Sequence, residues 1–523
     1  MTTFNSIKLA GMACGLLSFT PAFSQTGDWY NLDYTNDSLA GVSVNRAYDV
    51  IDVSTIKPVV VAVIDDGVDI NHPDFAGRIW TNEKEIPANG IDDDGNGYID
   101  DVHGWNFLGN PSGENVSFET LELTRLYRQY KNRFEGTEPA SLSKSEKKEY
   151  DLYLAYKEAY EAEVSSIEEE FGQFAQLSAM YGGAFAYMQE KLGREELTLN
   201  DLLEFKPADE DEGQVVRFLM IAEQQGLPDY LQSGSEYFER ALEYNYNLDF
   251  DPRGIVNVDE AKAANTGYGN NMVDAENPEH GTHVAGIIGA VRANGTGVDG
   301  IASNAIIMPI RAIPGGDERD EDVALAIRYA VDNGARVVNM SFGKAYSPNS
   351  ELVFDAIKYA AQKDVLLIHA AGNDGSNNDE VRNFPDGTLG KSKTYSNYIT
   401  VAASGPFVDS TLLAGFSNYG KKKVDVMAPG VEIESLKPEG QLASNSGTSM
   451  AAPVVTGIAV LLRGLYPGLS AKEIKKIITG TVHPYDNQVV LTDEGAHPLK
   501  SLVRNPGIVS TTAAIEAGQQ KAK

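Results

Sequence analysis

The run VVVAVIDDG, residues 59–67, decides the fold. Six apolar residues in a row, Val59 to Ile64, end on two acids and a glycine, as a strand buried on both faces would; a strand with one wet face would alternate. Similar runs recur as AIIMPIRA at 305–312, ARVVNMSFG at 335–343, DVLLIHAAGND at 364–374, NYITVAAS at 397–404 and KVDVMAPG at 423–430. Between several of them lie helical patterns such as DEDVALAIRYAVDNG and SELVFDAIKYAAQKD. Strand and helix alternate, which implies an α/β core with a mainly parallel sheet and helices on both faces. Ligands of such sheets bind beyond the carboxyl ends of the strands. Here those ends carry Asp65, Ser341 and Asn373.

One segment breaks the alternation. Residues 111–250 are rich in Glu, Lys, Tyr and Leu, and Tyr160, Val164, Ile167, Phe171, Phe174, Leu177, Tyr181 and Phe185 follow steps of three and four. An amphipathic helix or helical hairpin is expected there, kinked or broken at Gly182 and Gly183. The expected organisation is a signal peptide at 1–24, a first core part at 25–110, a helical insert at 111–250, a second core part at 251–515 and a tail at 516–523.

The N-terminus supports secretion to the periplasm or exterior: Lys8 precedes an apolar stretch from Leu9, and Ala22 and Ser24 are small residues suited to a cut before Gln25. A lipoprotein cut at Cys14 is the rival reading. Cys14 is the single cysteine, so the mature chain has no disulfide, thiol nucleophile or cysteine metal site. No later segment approaches the roughly 18 uninterrupted apolar residues of a membrane span. A formal charge of -32 repels nucleic acid and anionic membranes and suits cation binding. A monomer acting on polypeptides is expected.

Four motifs carry chemistry. VAVIDDGVDINHPDF (61–75) contains Asp65, HGTHVAG (280–286) contains His280, AAGND (370–374) contains Asn373, and NSGTSMAAP (445–453) contains Ser449. Each residue has a bland alternative: Asp65 as a cap, His280 as a satisfied core histidine, Asn373 in a turn, Ser449 as a helix cap. Together they supply a carboxylate, an imidazole, an amide donor and a hydroxyl, each beside glycine that admits close backbone approach.

In order and spelling these stretches resemble the subtilisin-like serine proteases. The resemblance covers residues 40–103 and 252–515. It implies that Ser449 is the nucleophile, His280 the general base, Asp65 its orienting carboxylate and Asn373 an oxyanion donor beside the Ser449 N–H. It further implies that Ser341 and Gly343 pair with extended substrate, that Gly372 walls the primary pocket, and that His283 is structural. Three features depart from the family pattern: Ser510 replaces the usual asparagine or aspartate, too few residues precede Asp65 for a typical prodomain, and Asp65 and His280 lie 215 positions apart.

NGIDDDGNGYIDD (89–101) follows the first nine positions of an EF-hand-type loop, with Asp92, Asp94, Asn96, the Tyr98 carbonyl and Asp100 as oxygens and Gly97 at the turn. Its twelfth position is His103, so a further carboxylate such as Asp101 is needed. One structural Ca2+ is expected; an acidic solvated turn is the alternative. The family resemblance adds Asp74 and Asn294 as a second calcium site. Asp66 follows Asp65 as in kexin-like convertases, and with the acids of 315–323 and Asp386 it implies a preference for basic residues before the cut. The competing functions are a silent binding protein on a protease fold and an acyl or ester hydrolase.

Overall fold

The computed structural model describes residues 27–256, 267–389 and 393–523; the signal-peptide reading lies outside them. Nine strands form the main sheet. In chain order, eight of them are β1 (Val59–Asp65), β2 (Trp105–Asn106), β3 (Ala305–Arg311), β4 (Val337–Met340), β5 (Leu366–Ala370), β6 (Tyr398–Ser404), β7 (Val426–Pro429) and, after a short strand at His483–Pro484, Gly507–Ile508. From one edge the order is His483–Pro484, Gly507–Ile508, β7, β6, β5, β4, β1, β3, β2. Every pairing is parallel except that of the two strands at the first edge. The α/β class expected from the sequence is the one observed.

The uninterrupted apolar runs follow from burial on both faces. In β1, Val61 and Val63 belong to one hydrophobic cluster and Ala62 and Ile64 to another. The first cluster takes in the helices Glu279–Gly289 and Thr448–Leu465, the second the helices Asp320–Asp332 and Ser350–Gln362. Successive side chains of a strand point to opposite faces, so one strand feeds both cores. The helix Thr448–Leu465 is long and apolar enough to cross a membrane, but 89% of that stretch is buried inside the protein.

Helices fill the interval between β2 and the His280 region: Glu122–Phe134, Lys144–Leu192, Leu199–Glu204, Glu210–Gln224 and Leu227–Arg240. Two compact units are distinguished, Val164–Glu239 and, separately, Gly27–Glu163 with Arg240–Lys523. Within the first, Met188, Leu202, Val216 and Leu219 form a small core. The 49-residue helix passes through Gly182 and Gly183 without the break that was one of the two outcomes expected there. Each glycine costs only about 1 kcal/mol relative to alanine, and the surrounding Ala, Leu, Met, Gln and Glu are strong helix formers.

Candidate active site

The turn after β1 meets the start of the helix Glu279–Gly289, and this brings Asp65 to His280. Asp65 Oδ1 lies 2.6 Å from His280 Nδ1, and the carboxylate is almost fully buried. A Cβ on Gly281 would collide with the Gly67 carbonyl, so glycine is what allows the helix to seat on the turn. Burial disfavours a charged imidazole, but the charge and hydrogen bond of Asp65 and the charge of Asp66 outweigh it and lift His280 to about 9. His283, one turn on, sits between the carbonyls of Ile433 and Ala443 at 3.1 Å each, and burial pushes it down to about 4. It ties the histidine helix to a hairpin, Ile433–Lys437 with Gln441–Asn445, that leads directly into the Ser449 segment.

Ser449 occupies the first turn of the helix Thr448–Leu465. Its hydroxyl donates to the Ser341 carbonyl (3.0 Å), and its own carbonyl accepts from the Ser341 hydroxyl (2.9 Å). Pro453 explains the second bond: lacking an N–H, it leaves the carbonyl four residues earlier without its helical donor, and Ser341 supplies one. Behind Ser341, Asn339 Nδ2 donates to its hydroxyl (2.9 Å) and Thr456 donates to Asn339 Oδ1 (2.8 Å). Asn339 and Thr456 were not singled out in the sequence, where both look like ordinary core positions. No Ser449–His280 hydrogen bond occurs among the described residues; such bonds are often long until substrate binds.

Asn373 caps the serine helix. Its Oδ1 accepts from the Thr448 N–H (2.8 Å) and hydroxyl (2.9 Å), which turns its Nδ2 outward. The Ser449 N–H donates to no acceptor among the described residues. Both donors, Asn373 Nδ2 and Ser449 N, lie 3.6 Å from the point a Cβ on Gly447 would occupy. Two unpaired donors thus flank one small volume beside the Ser449 hydroxyl, suited to a developing oxyanion.

Gly343 and Gly372 face a common neighbour, Asn383. A Cβ on Gly343 would meet Asn383 Oδ1 at 2.5 Å, and one on Gly372, at φ 105°, would meet Asn383 Nδ2 at 3.2 Å. Asn383 thus lies against both glycines, with Asn418 Nδ2 nearer still to Gly372, a placement nothing in their sequence surroundings signalled.

Residues 57–502 match the family model described as the subtilase family. The chain belongs to that family. A thermophilic serine proteinase of Bacillus sp. (strain AK1) is 40% identical over 203 residues, 39% of this chain and 46% of that one. The cell wall-associated protease of Bacillus subtilis (strain 168) is 37% identical over 249 residues, 46% and 26% of the two chains. Thermitase of Thermoactinomyces vulgaris is 40% identical over 203 residues, 39% and 66%. The chain spans about half the length of the first of these and about a quarter of the second.

In this subtilase the acids expected to select basic substrates are engaged by the fold. Both carboxylate oxygens of Asp66 accept backbone N–H groups, from Gly281 at 2.7 Å and His280 at 3.2 Å. In the 315–323 loop, Asp317 accepts from the Glu122 N–H, Asp320 pairs with buried Lys344 (3.0 Å), and Asp322 is clamped by Arg253 (2.7 and 2.8 Å). Burial lifts Glu318 to about 8. Asp386 is held by Arg382 (2.9 Å) and Lys423 (3.3 Å).

The acidic loop gathers Glu85, Asp92 and Asp94, whose carboxylate oxygens lie within 4.8 Å of one another. Hard, closely set oxygens fit Ca2+. Glu85, buried and upstream of the loop, was missed in the sequence. Asp100 is turned elsewhere, accepting from the Asn89 and Gly90 N–H groups (3.1 and 2.8 Å). Asn96 spends its amide inside the loop, accepting from the Tyr98 N–H (2.8 Å) and donating to Asp101 (3.0 Å). Asp101 also accepts from Tyr329 and Asn82, and burial lifts it to about 6. Asp74 and Asn294 are brought together, with Asp74 accepting from the Asn294 amide and the Val298 N–H.

Proposed function

We propose that this chain is a secreted serine endopeptidase. The observation that carries the reading is the pair of unpaired donors, Asn373 Nδ2 and the Ser449 N–H, beside a serine hydroxyl, in a chain whose Asp65 and His280 are 2.6 Å apart. In this reading the Ser449 hydroxyl attacks the peptide carbonyl while His280 takes its proton on Nε2, because Nδ1 is committed to Asp65. Asp65 holds the ring and stabilises the imidazolium. The carbonyl oxygen, now negative, takes hydrogen bonds from Asn373 Nδ2 and the Ser449 N–H. The intermediate collapses, the C–N bond breaks, and His280 gives its proton to the departing amine. Water, deprotonated by the same imidazole, then releases the acyl group and restores Ser449.

Glu85, Asp92 and Asp94 would hold one Ca2+, which neutralises their mutual repulsion when bound and steadies the loop. Secretion rests on the N-terminal pattern of charge, apolar run and small residues.

Casein digestion sensitive to phenylmethylsulfonyl fluoride tests the reading. Ser449→Ala is expected to abolish digestion with an unchanged circular dichroism spectrum, since the hydroxyl contributes a single part-buried hydrogen bond to the fold. Retained proteolysis would refute the assignment, and hydrolysis confined to ester substrates would make the protein an acyl hydrolase.

A further inference from the structure

Helix Glu279–Gly289 begins after Pro278, which has no side chain able to cap it. The first N–H groups of a helix have no partner within it and carry the positive end of its dipole. Asp66, more than two hundred positions away in sequence, provides the missing cap. Its two oxygens accept from His280 and Gly281 (3.2 and 2.7 Å), while its backbone N–H donates to Asp65 Oδ1 (2.9 Å) and its carbonyl accepts from Arg311 Nε (3.0 Å). The residue is therefore bonded on one side to the carboxylate that holds the imidazole and on the other to the backbone that carries it.

We propose that Asp66 is a positioning residue: by holding the His280 and Gly281 amides it fixes the first turn of the histidine helix, and with it the imidazole, against Asp65. This rests on the peptidase reading for its functional consequence. Asp66 cannot be replaced in this role by a neighbour. Asp65 has one oxygen on His280 Nδ1 and its other oxygen buried without a partner, and Glu279 on the helix itself pairs with Lys437 (3.1 Å).

The electrostatics give the arrangement a signature. Burial and the adjacent Asp65 lift Asp66 to about 7, so its charge is in place above neutrality. That charge is one of the causes lifting His280 to about 9. The other titratable and charged groups around the pair are Arg311 from β3, Glu276 before the helix, Glu279 on it with its partner Lys437, and His283, which burial keeps neutral. An imidazole must be neutral to accept a proton, so the acid-side limb of kcat/KM follows His280. Asp65 displaces that limb to the alkaline side of an ordinary histidine, and an ionised Asp66 adds to the displacement.

Asp66→Asn keeps the shape, removes the charge and turns one N–H donor toward another. The expected result is a limb moved to lower pH together with a kcat about tenfold lower at the optimum and an unchanged KM; misplaced catalytic groups lose rate on this scale or more. Asp66→Ser, which retains a short acceptor, is expected to restore part of kcat while showing the same displaced limb. The His280 ring is also followed by nuclear magnetic resonance titration in Ser449→Ala with and without Asp66→Asn, which needs no turnover and stands whether or not the protein proves to be a peptidase. An acid shift of the His280 titration on loss of Asp66 supports the proposal. An unmoved titration overturns it, as does a variant altered only in KM for substrates with a basic residue before the cut, because that result would make Asp66 a substrate-binding residue.

Discussion

Asn373 divides its amide between two tasks: Oδ1 caps the serine helix at Thr448 and Nδ2 points into the site. Asn373→Ala therefore removes a cap and, on the proposed mechanism, an oxyanion donor together. Turnover is expected to fall by about 10²–10³, the loss known for the equivalent asparagine of subtilisin, with KM little changed. Steady-state kinetics check this, and a fall confined to KM would contradict it. Asp65, His280, Asn373 and Ser449 were legible because each sits in a short motif with adjacent glycines at a strand or helix end. Asn383 was not, because what matters is its place against Gly343 and Gly372, and that depends on how distant loops fold back. Asp66 was legible as an acid, but its bonds to the His280 and Gly281 amides were not, since nothing in the local spelling reveals that a helix 214 residues on presents its amides there.

Among the elements, the serine helix is the one whose local rule is broken and repaired. Pro453 lies well inside Thr448–Leu465, and Ser341 supplies the donor it removes. Ser341→Ala leaves the Ser449 carbonyl without that partner, at an expected cost of about 1–3 kcal/mol read from urea unfolding. Equal stability would mean that the reciprocal pair contributes nothing to the fold. The proposed Ca2+ site makes a second prediction: excess chelator should lower the thermal midpoint, because the ion would bind only the folded loop. In Glu85→Gln the chelator-induced drop should shrink, whereas Asp100→Asn should retain most of it, since Asp100 holds backbone amides apart from the carboxylate cluster. A full chelator effect in Glu85→Gln would remove Glu85 from the ligand set. Strands were readable from sequence because burial on both faces leaves an unbroken apolar run. Glu85 and the unbroken passage of a helix through Gly182 and Gly183 were not, since each depends on packing or summed propensity beyond any single motif.

The whole molecule balances two sets of buried titratable groups. Asp66, Asp101 and Glu318 are lifted to about 7, 6 and 8, so the folded chain binds more protons than the unfolded one between their ordinary values and these, and they favour the fold as pH falls. His283 and His369 do the reverse. Burial pushes each down to about 4, so between pH 6.5 and 4 the unfolded chain binds the extra proton and stability is lost as pH falls. His369 lies buried on β5 at the centre of the sheet, its Nε2 donating to the Phe342 carbonyl (2.7 Å), where an imidazolium would have no solvent to receive its charge. The net slope of the wild-type curve mixes both sets, so the informative quantity is a difference. His369→Gln keeps a side-chain donor and removes the titration. Its loss of unfolding free energy between pH 7 and pH 4.5 is expected to be smaller than that of the wild type by on the order of 2 kcal/mol. Urea unfolding at the two pH values measures this. Equal losses in the two proteins would show that His369 takes up its proton without unfolding the core, and would remove it as a source of acid sensitivity.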